Sequence, residues 1–300
     1  MVISLVIPIY NEAAVIPELI SRTVDSIGKI TGDFEIILVD DGSTDDSLEL
    51  LLNFRKEDKR IKIIELSRNF GHQAAYTAGM SKAKGEYIGI MDGDLQDPPE
   101  LFSDMYAILS DDQADVVYGK RTNKVNFKGR SLLTFWFHKG FKKISGLENI
   151  EHVGNFSMMN RIALEAMLSF TEKTRYLPGI RRFIGFRQKF VEYDRDDRNI
   201  GKSKMNIGQL ISLSSDAIFS FSKVPIKLCL YLGIIGVIVF FIAGMYTLIA
   251  KIAGFALPGW SSTLLSIYFL GSIQLTFMGV LGEYIYRIHK ESQNRPLFLV

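Results

Sequence analysis

Short apolar runs alternate with amphipathic stretches over the first two hundred positions. Ile3–Ile9 reads as a buried strand, broken at Pro8-Ile9-Tyr10-Asn11. Phe34–Asp40, Ile61–Ser67, Glu86–Asp92 and Ala114–Lys120 are also short, apolar and mostly β-branched, which predicts four further strands. Stretches near residues 13–30, 44–58, 72–83 and 98–110 have the apolar spacing of helices. The alternation predicts an α/β fold with a mostly parallel sheet and helices on both faces. Ligands on such sheets bind beyond the carboxyl ends of the strands.

The pattern changes after Lys227. Leu228 to Ala250 is a run of 23 residues without a charge, and at about 1.5 Å per residue it spans the roughly 30 Å hydrocarbon core of a bilayer. Ile252 to Gly282 is also uncharged but contains the turn signal Pro258-Gly259, which places a second span from about Thr263 to Gly282. The connector holds one basic residue, Lys251. The flanks hold Lys202, Lys204, Lys223 and Lys227 before the first span and Arg287, Lys290 and Arg295 after the second. The positive-inside rule then puts both ends in the cytoplasm and a small hairpin outside. Two stretches read as helices lying in the headgroup plane: Ser131 to Gly146, which mixes Phe and Trp with Lys139, Lys142 and Lys143, and Met205 to Lys223.

Composition narrows the function. Thirty-five Lys plus Arg against 33 Asp plus Glu give a net charge of +2, a poor match to a protein built to bind a nucleic-acid backbone. Hydrophobic residues at 47% exclude a disordered chain. A mean hydropathy of +0.14 suits a chain that is part soluble and part membrane. The lone Cys229 excludes an internal disulfide framework and a Cys-rich metal site.

Acidic clusters close the second and fourth strands, where a ligand is expected. In Met91–Glu100, MDGDLQDPPE, Asp92 and Asp94 end a hydrophobic strand with one glycine between them. A turn there can aim both carboxylates at one hard cation such as Mg²⁺ or Mn²⁺, with Gln96 as a further oxygen donor. In Val39–Ser47, VDDGSTDDS, a carboxylate at the strand edge can accept hydrogen bonds from a base or ribose, while Ser43, Thr44 and Asp45 suit a helix N-cap. In Ile7–Glu12, Tyr10 can flank a base and Glu12 can accept a hydrogen bond.

Together these three motifs, with SRNFGHQAA at Ser67–Ala75, resemble glycosyltransferase family 2, the inverting enzymes of the GT-A nucleotide-sugar-binding fold. DGDLQDPPE followed by two spans is similar to the polyprenyl-phosphate subgroup, which includes bactoprenol glucosyltransferases and dolichol-phosphate mannose synthase. The resemblance implies that Pro8, Tyr10, Glu12, Val39 and Asp41 hold the nucleoside. It implies that Asp92, Gly93, Asp94 and Gln96 hold the metal and the donor diphosphate, with Asp92 and Asp94 catalytic. Arg121 matches a basic residue near the phosphates, and Arg198, Ser203 and Lys204 match a later basic loop that closes over them.

The organisation that follows is a cytoplasmic GT-A domain over residues 1–200, an interfacial segment over 201–225, a two-helix transmembrane hairpin over 226–288 and a cytoplasmic tail over 289–300. The expected reaction is inverting transfer from a nucleotide sugar, a UDP-hexose such as UDP-glucose or UDP-N-acetylglucosamine, to undecaprenyl phosphate at the plasma membrane for cell-envelope glycosylation. Expected partners are the donor, the lipid acceptor and the membrane, with a homo-oligomer favoured by paired spans. A processive polysaccharide synthase would carry QxxRW, and neither Trp136 nor Trp260 follows QxxR. The alternative is a catalytically silent membrane scaffold or sensor on the same fold, against which intact Asp92, Asp94 and Gln96 weigh.

Overall fold

Residues of β1 (Ile3–Ile9) and β2 (Phe34–Asp40) are buried along their whole length, and their side chains divide by parity between two cores. Ile3, Leu5, Ile7 and Ile9, with Phe34, Ile36 and Leu38, join one apolar cluster, while Val6, Ile37 and Val39 join another. Successive side chains of a strand point to opposite faces, so both faces of this sheet are covered. The chain is seen in a computed structural model that describes residues 1–122, 153–173, 175–194, 224–253 and 259–300.

The remaining elements of the first unit are α1 (Ile16–Gly28), α2 (Ser47–Glu57), β3 (Ile61–Glu65), α3 (His72–Lys82), β4 (Tyr87–Ile90), a 3₁₀ turn at Pro99–Leu101 leading into α4 (Phe102–Ser110), β5 (Val116–Arg121), β6 (Val153–Asn160), α5 (Arg161–Leu168), α6 (Leu177–Phe183) and β7 (Gln188–Tyr193). The strands form one sheet in the order β3-β2-β1-β4-β6-β5-β7. β1 to β4 run parallel, β6 runs antiparallel to both β4 and β5, and β7 is parallel to β5. The mostly parallel α/β sheet expected from the sequence is therefore present. The five expected strands match β1 to β5, while β6 and β7 were not expected.

The strand order reverses between β1 and β4, and the chemistry of β1 opens a crevice there. The Met91 N–H donates to the Val6 carbonyl at 3.2 Å, and the register of β1 with β4 ends at Val6–Ile90. Pro8 has no N–H with which to continue that ladder. On its other side β1 keeps pairing with β2 as far as Ile9–Asp40. The two loops beyond β1 and β4 are thus free to part at the switch point, the place where open α/β sheets bind ligands.

A second unit contains α7 (Val224–Ile252) and α8 (Trp260–Ser292). Both run past the limits of the expected spans. They carry many outward apolar side chains, among them Phe241, Ile242, Leu275 and Met278. Among the described residues no helix is long and apolar enough to cross a membrane. The segment Arg295–Val300 groups with the sheet. The two expected interfacial stretches, at 131–146 and 205–223, lie outside the described residues.

Candidate active site

Loops at the carboxyl ends of β1 to β4 converge through short polar side chains. The loops after β1 and β2 are laced together. The Asn11 N–H donates to Ser43 Oγ at 3.0 Å, the Thr44 N–H donates to Asn11 Oδ1 at 2.7 Å, the Glu12 N–H donates to Ser47 Oγ at 2.9 Å and the Ala13 N–H donates to Asp45 Oδ2 at 3.3 Å. Asn11 adopts φ 54°, a left-handed backbone that Asn tolerates. Asp45 also accepts from the Ser47 N–H at 3.0 Å, one residue ahead of the N-cap Asp46, which makes no side-chain cap bond, so the N-cap expected at Ser43–Asp45 falls at Asp46 instead. Gly42, at φ 69°, lies so close to the next loop that a Cβ there would stand 2.6 Å from the Arg68 carbonyl carbon, so a side chain at this position would displace that loop.

Both oxygens of Asp41 are engaged by that third loop. Oδ1 accepts from the Phe70 N–H at 2.8 Å and Oδ2 from the Gly71 N–H at 3.0 Å. Burial pushes the Asp41 carboxyl up, and this outweighs the two N–H donors and the nearby His72. The neighbouring Asp40 keeps Oδ2 on the Ser43 N–H at 3.2 Å, while its buried Oδ1 has no hydrogen-bond partner among the described residues. Val39 and Pro8 are buried beside these groups, Tyr10 is 39% exposed on the rim, and Glu12 is half-buried.

The loop after β4 carries the paired carboxylates, and α3 supports them. Asp92, Asp94 and Gln96 are half-buried, and Gly93 is buried. A Cβ at Gly93 would lie 2.8 Å from Ile9 Cδ1 and 2.9 Å from the Pro8 carbonyl, so only glycine lets this loop press against the end of β1. The Gln96 N–H donates to Asp94 Oδ1 at 3.2 Å across Leu95, whose φ is 57°. His72 and Tyr76 are one helical turn apart on α3 and stack edge to face at 4.7 Å. Both reach Asp92 Oδ1, the Tyr76 hydroxyl donating at 2.7 Å and His72 Nε2 at 3.1 Å. On the same helix face, a Cβ at Gly79 would stand 2.2 Å from Val6 Cγ1. That close seat lowers α3 onto the sheet and brings its first turn over Asp92. Burial draws the His72 imidazole down, but the Asp92 bond and the charges of Asp92, Asp41 and Asp94 prevail, and its pKa rises. Burial, then the Asp92 charge, hold the Tyr76 hydroxyl well above the ordinary tyrosine range, so it stays a donor.

Arg121 comes to the same loop from β5. Its Nη2 lies 3.8 Å from Asp97 Oδ1 and its Nε donates to the Tyr193 hydroxyl at 3.3 Å, while that hydroxyl donates to Asp97 Oδ1 at 2.5 Å. Gly119 makes this possible: a Cβ there would stand 2.7 Å from Tyr193 Cε1 and 2.5 Å from Phe156 Cδ1. The start of β6 closes this side. Arg181, deeply buried, donates to the Gly154 carbonyl at 2.9 Å, and burial lowers its pKa to about 10. Asn155 Nδ2 lies 3.5 Å from His72 Nδ1.

The structure thus brings Asp92, Gly93, Asp94, Gln96 and Arg121 together, with Pro8, Val39 and Asp41 beside them. Arg198, Ser203 and Lys204 lie outside the described residues. Sequence reasoning missed His72, Tyr76, Asp97 and Tyr193 as supports. His72 and Tyr76 lay in or next to SRNFGHQAA and Asp97 lay in DLQDPPE, whereas Tyr193 carried no local signal. As for a cation, the described residues contain no cluster of three His, Cys, Asp or Glu side chains. Two carboxylates at a strand end still fit Mg²⁺ or Mn²⁺, which take hard oxygen ligands and fill the remaining positions with water and substrate phosphates.

A family model described as glycosyl transferase family 2 matches residues 4–168. An uncharacterized glycosyltransferase, YkcC of Bacillus subtilis, is 37% identical, the match covering 99% of this chain and 92% of that protein. The prophage bactoprenol glucosyl transferase homolog of Escherichia coli is 34% identical, covering 100% of this chain and 98% of that protein. Among solved structures, glucosyl-3-phosphoglycerate synthase from Mycobacterium tuberculosis in complex with Mn²⁺, uridine diphosphate and phosphoglyceric acid is 19% identical, covers 72% of this chain and 76% of that one, and has a TM-score of 0.48.

Proposed function

Because the chain belongs to glycosyl transferase family 2, we propose that this glycosyltransferase moves a sugar from a nucleotide sugar to a polyprenyl phosphate at the cytoplasmic face of a membrane. The observation that carries the reading is the acidic pair Asp92 and Asp94 at the β1/β4 crevice, with Arg121 held against the same loop by Asp97 and Tyr193. Relatives named bactoprenol glucosyl transferase, 34% identical over the full chain, support the lipid acceptor. A UDP-hexose, UDP-glucose or UDP-N-acetylglucosamine, is the donor we assign.

The laced loops after β1 and β2 form the nucleoside rim. Tyr10 flanks the base, Glu12 accepts from the nucleoside, and Pro8, Val39 and Asp41 at the ends of β1 and β2 complete its seat. Asp92 and Asp94 would hold Mg²⁺ or Mn²⁺, which when bound neutralises charge on the departing diphosphate. Gln96 would be a further oxygen donor to that ion. Arg121, followed by Arg198, Ser203 and Lys204 from the later loop, offsets repulsion between donor and acceptor phosphates. The acceptor phosphate, with a second pKa near 6, is mostly dianionic at neutral pH. Its oxygen forms the new bond to the sugar C1 as the bond from C1 to the diphosphate breaks on the opposite face. The anomeric centre inverts, and the nucleoside diphosphate leaves with the electron pair. The protein's work is positioning and charge compensation.

The uncharged runs Leu228–Ala250 and Thr263–Gly282 belong to the same proposal as two spans that keep the enzyme beside a lipid confined to the bilayer. The apolar side chains that α7 and α8 turn outward support this.

The test is mass spectrometry of the lipid formed when purified full-length protein meets polyprenyl phosphate and a panel of nucleotide sugars. A sugar-phosphate lipid is expected with one donor. Asp94→Asn should fold normally and lose activity by about a hundredfold or more; near-normal turnover by that variant would remove the acidic pair from the mechanism.

A further inference from the structure

Arg295–Val300 follows α8 in sequence, yet it groups with the sheet-bearing unit. It meets that unit at the outer side of the loop between β3 and α3. The Ser67 N–H donates to the Leu299 carbonyl at 3.0 Å. The half-buried Phe298 packs against the apolar cluster on the α3 side of the sheet, which Phe70 also joins. Leu299 and Val300 leave their side chains exposed, so Leu299 contributes its backbone and Phe298 its ring.

The geometry explains why this contact reaches the site. β3 is an edge strand, and beyond it neighbouring amides point in opposite directions. The Leu66 N–H donates inward to the Asp40 carbonyl at 2.9 Å, and the next N–H, of Ser67, donates outward to Leu299. Three residues later the Phe70 and Gly71 N–H groups sit on Asp41. Gly71 takes φ 95°, and His72 begins α3 and reaches Asp92. The stretch 67–71 is therefore fixed at its inner end by Asp41 and at its outer end by the Leu299 carbonyl, whose neighbour Phe298 anchors the tail on the apolar cluster.

We propose that Phe298 and Leu299 are positioning residues for the donor subsite: they strap the loop 67–71 so that its amides stay on Asp41 and the strand end is ready for the nucleoside. The inference rests on the donor reading above. A loop that is ordered before binding leaves the ligand less to organise. If loss of the strap leaves the loop ordered in about one molecule in ten, the apparent donor Kd rises about tenfold. The chemical step, at saturating donor, is left alone.

The test uses the full chain in detergent, as wild type, Phe298→Ser, Phe298→Leu and a form ended after Arg295. Hydrogen exchange is followed at the amides of residues 67–71 and across the rest of the sheet. Uridine diphosphate binding is titrated with Mg²⁺ present, and donor KM and kcat are measured separately. We expect faster exchange confined to residues 67–71 in Phe298→Ser and in the shortened form, about tenfold weaker uridine diphosphate binding and a matching rise in KM. kcat should be nearly unchanged, and Phe298→Leu should behave as wild type. Unchanged exchange and affinity in a folded Phe298→Ser would overturn the strap. Exchange rising equally throughout the sheet would overturn it too, since that marks a general stabiliser. Wild type that binds no uridine diphosphate would instead overturn the donor reading, and with it the strap's role in donor binding, whatever the exchange pattern.

Discussion

Asp92 is held by a tyrosine whose hydroxyl is trapped as a donor. Tyr76 is fully buried, and its 2.7 Å bond fixes one carboxylate oxygen of Asp92 while His72 approaches the same atom. Groups that orient a metal-binding carboxylate commonly change metal affinity or activity by about ten- to a hundredfold when removed. Tyr76→Phe keeps the ring and its packing and loses only the hydroxyl. The Mg²⁺ or Mn²⁺ concentration for half-maximal activity should rise about tenfold. The fold should lose only about 1.5–3 kcal/mol, the worth of one hydrogen bond to a charged group. A metal titration indistinguishable from wild type would show that Asp92 does not depend on this support.

At the level of elements, the end of the sheet remote from the site is tied by one buried carboxylate. Glu35 on β2 is fully buried. It accepts from Ser4 Oγ at 2.6 Å on β1, from the Lys84 N–H at 2.7 Å ahead of β4, and from Lys62 Nζ on β3. Ser4 Oγ in turn accepts from the Gly85 N–H at 2.7 Å. One side chain thus joins three strands and the turn that leads into β4. Burial alone would raise the Glu35 pKa, but the bonds from Lys62, Ser4 and Lys84 prevail and hold it below its ordinary 4.5. A carboxyl whose folded pKa is depressed contributes stability above its unfolded pKa, and that contribution is lost as pH falls through the folded value. Glu35→Gln should therefore be about 2 kcal/mol less stable than wild type near pH 7, and the gap should close as the pH drops below about 4. Thermal unfolding of both forms across pH measures this; a gap constant down to pH 3 would assign the loss to shape rather than charge.

For the whole molecule, the proposed spans and the proposed strap should make separable contributions. A chain ended at residue 225 loses both the proposed spans and the strap, while a chain ended after Arg295 loses the strap alone. Transfer to a long-chain polyprenyl phosphate should fall sharply in the first beyond the loss seen in the second, since a soluble domain meets a bilayer-confined acceptor rarely. Transfer to a short-chain, water-soluble acceptor should separate the two much less. Equal rates for both truncations on the long-chain acceptor would show that the helices do not deliver it.

Local chemistry alone made much of this legible. The β-branched runs at Ile3–Ile9 and Phe34–Asp40, the acidic turn after β4 and the helix start after VDDGSTDD were all readable because the backbone and its nearest neighbours dictate them. Pro8 and Gly93 stood at the crevice for a reason visible only in three dimensions: one ends a ladder and the other admits a close approach. β6 and β7 escaped notice because their short, mixed patterns gain meaning only from partners far along the chain. The supports of the site share that property. Tyr193 meets Asp97 across 96 residues, and Ser67 meets Leu299 from the far end of the chain. By itself, the sequence determined which side chains carry charge and which strand ends present them. Only the tertiary structure decided which of them touch, because such contacts depend on strand order and register, and these are set by the packing of the whole sheet rather than by any local period.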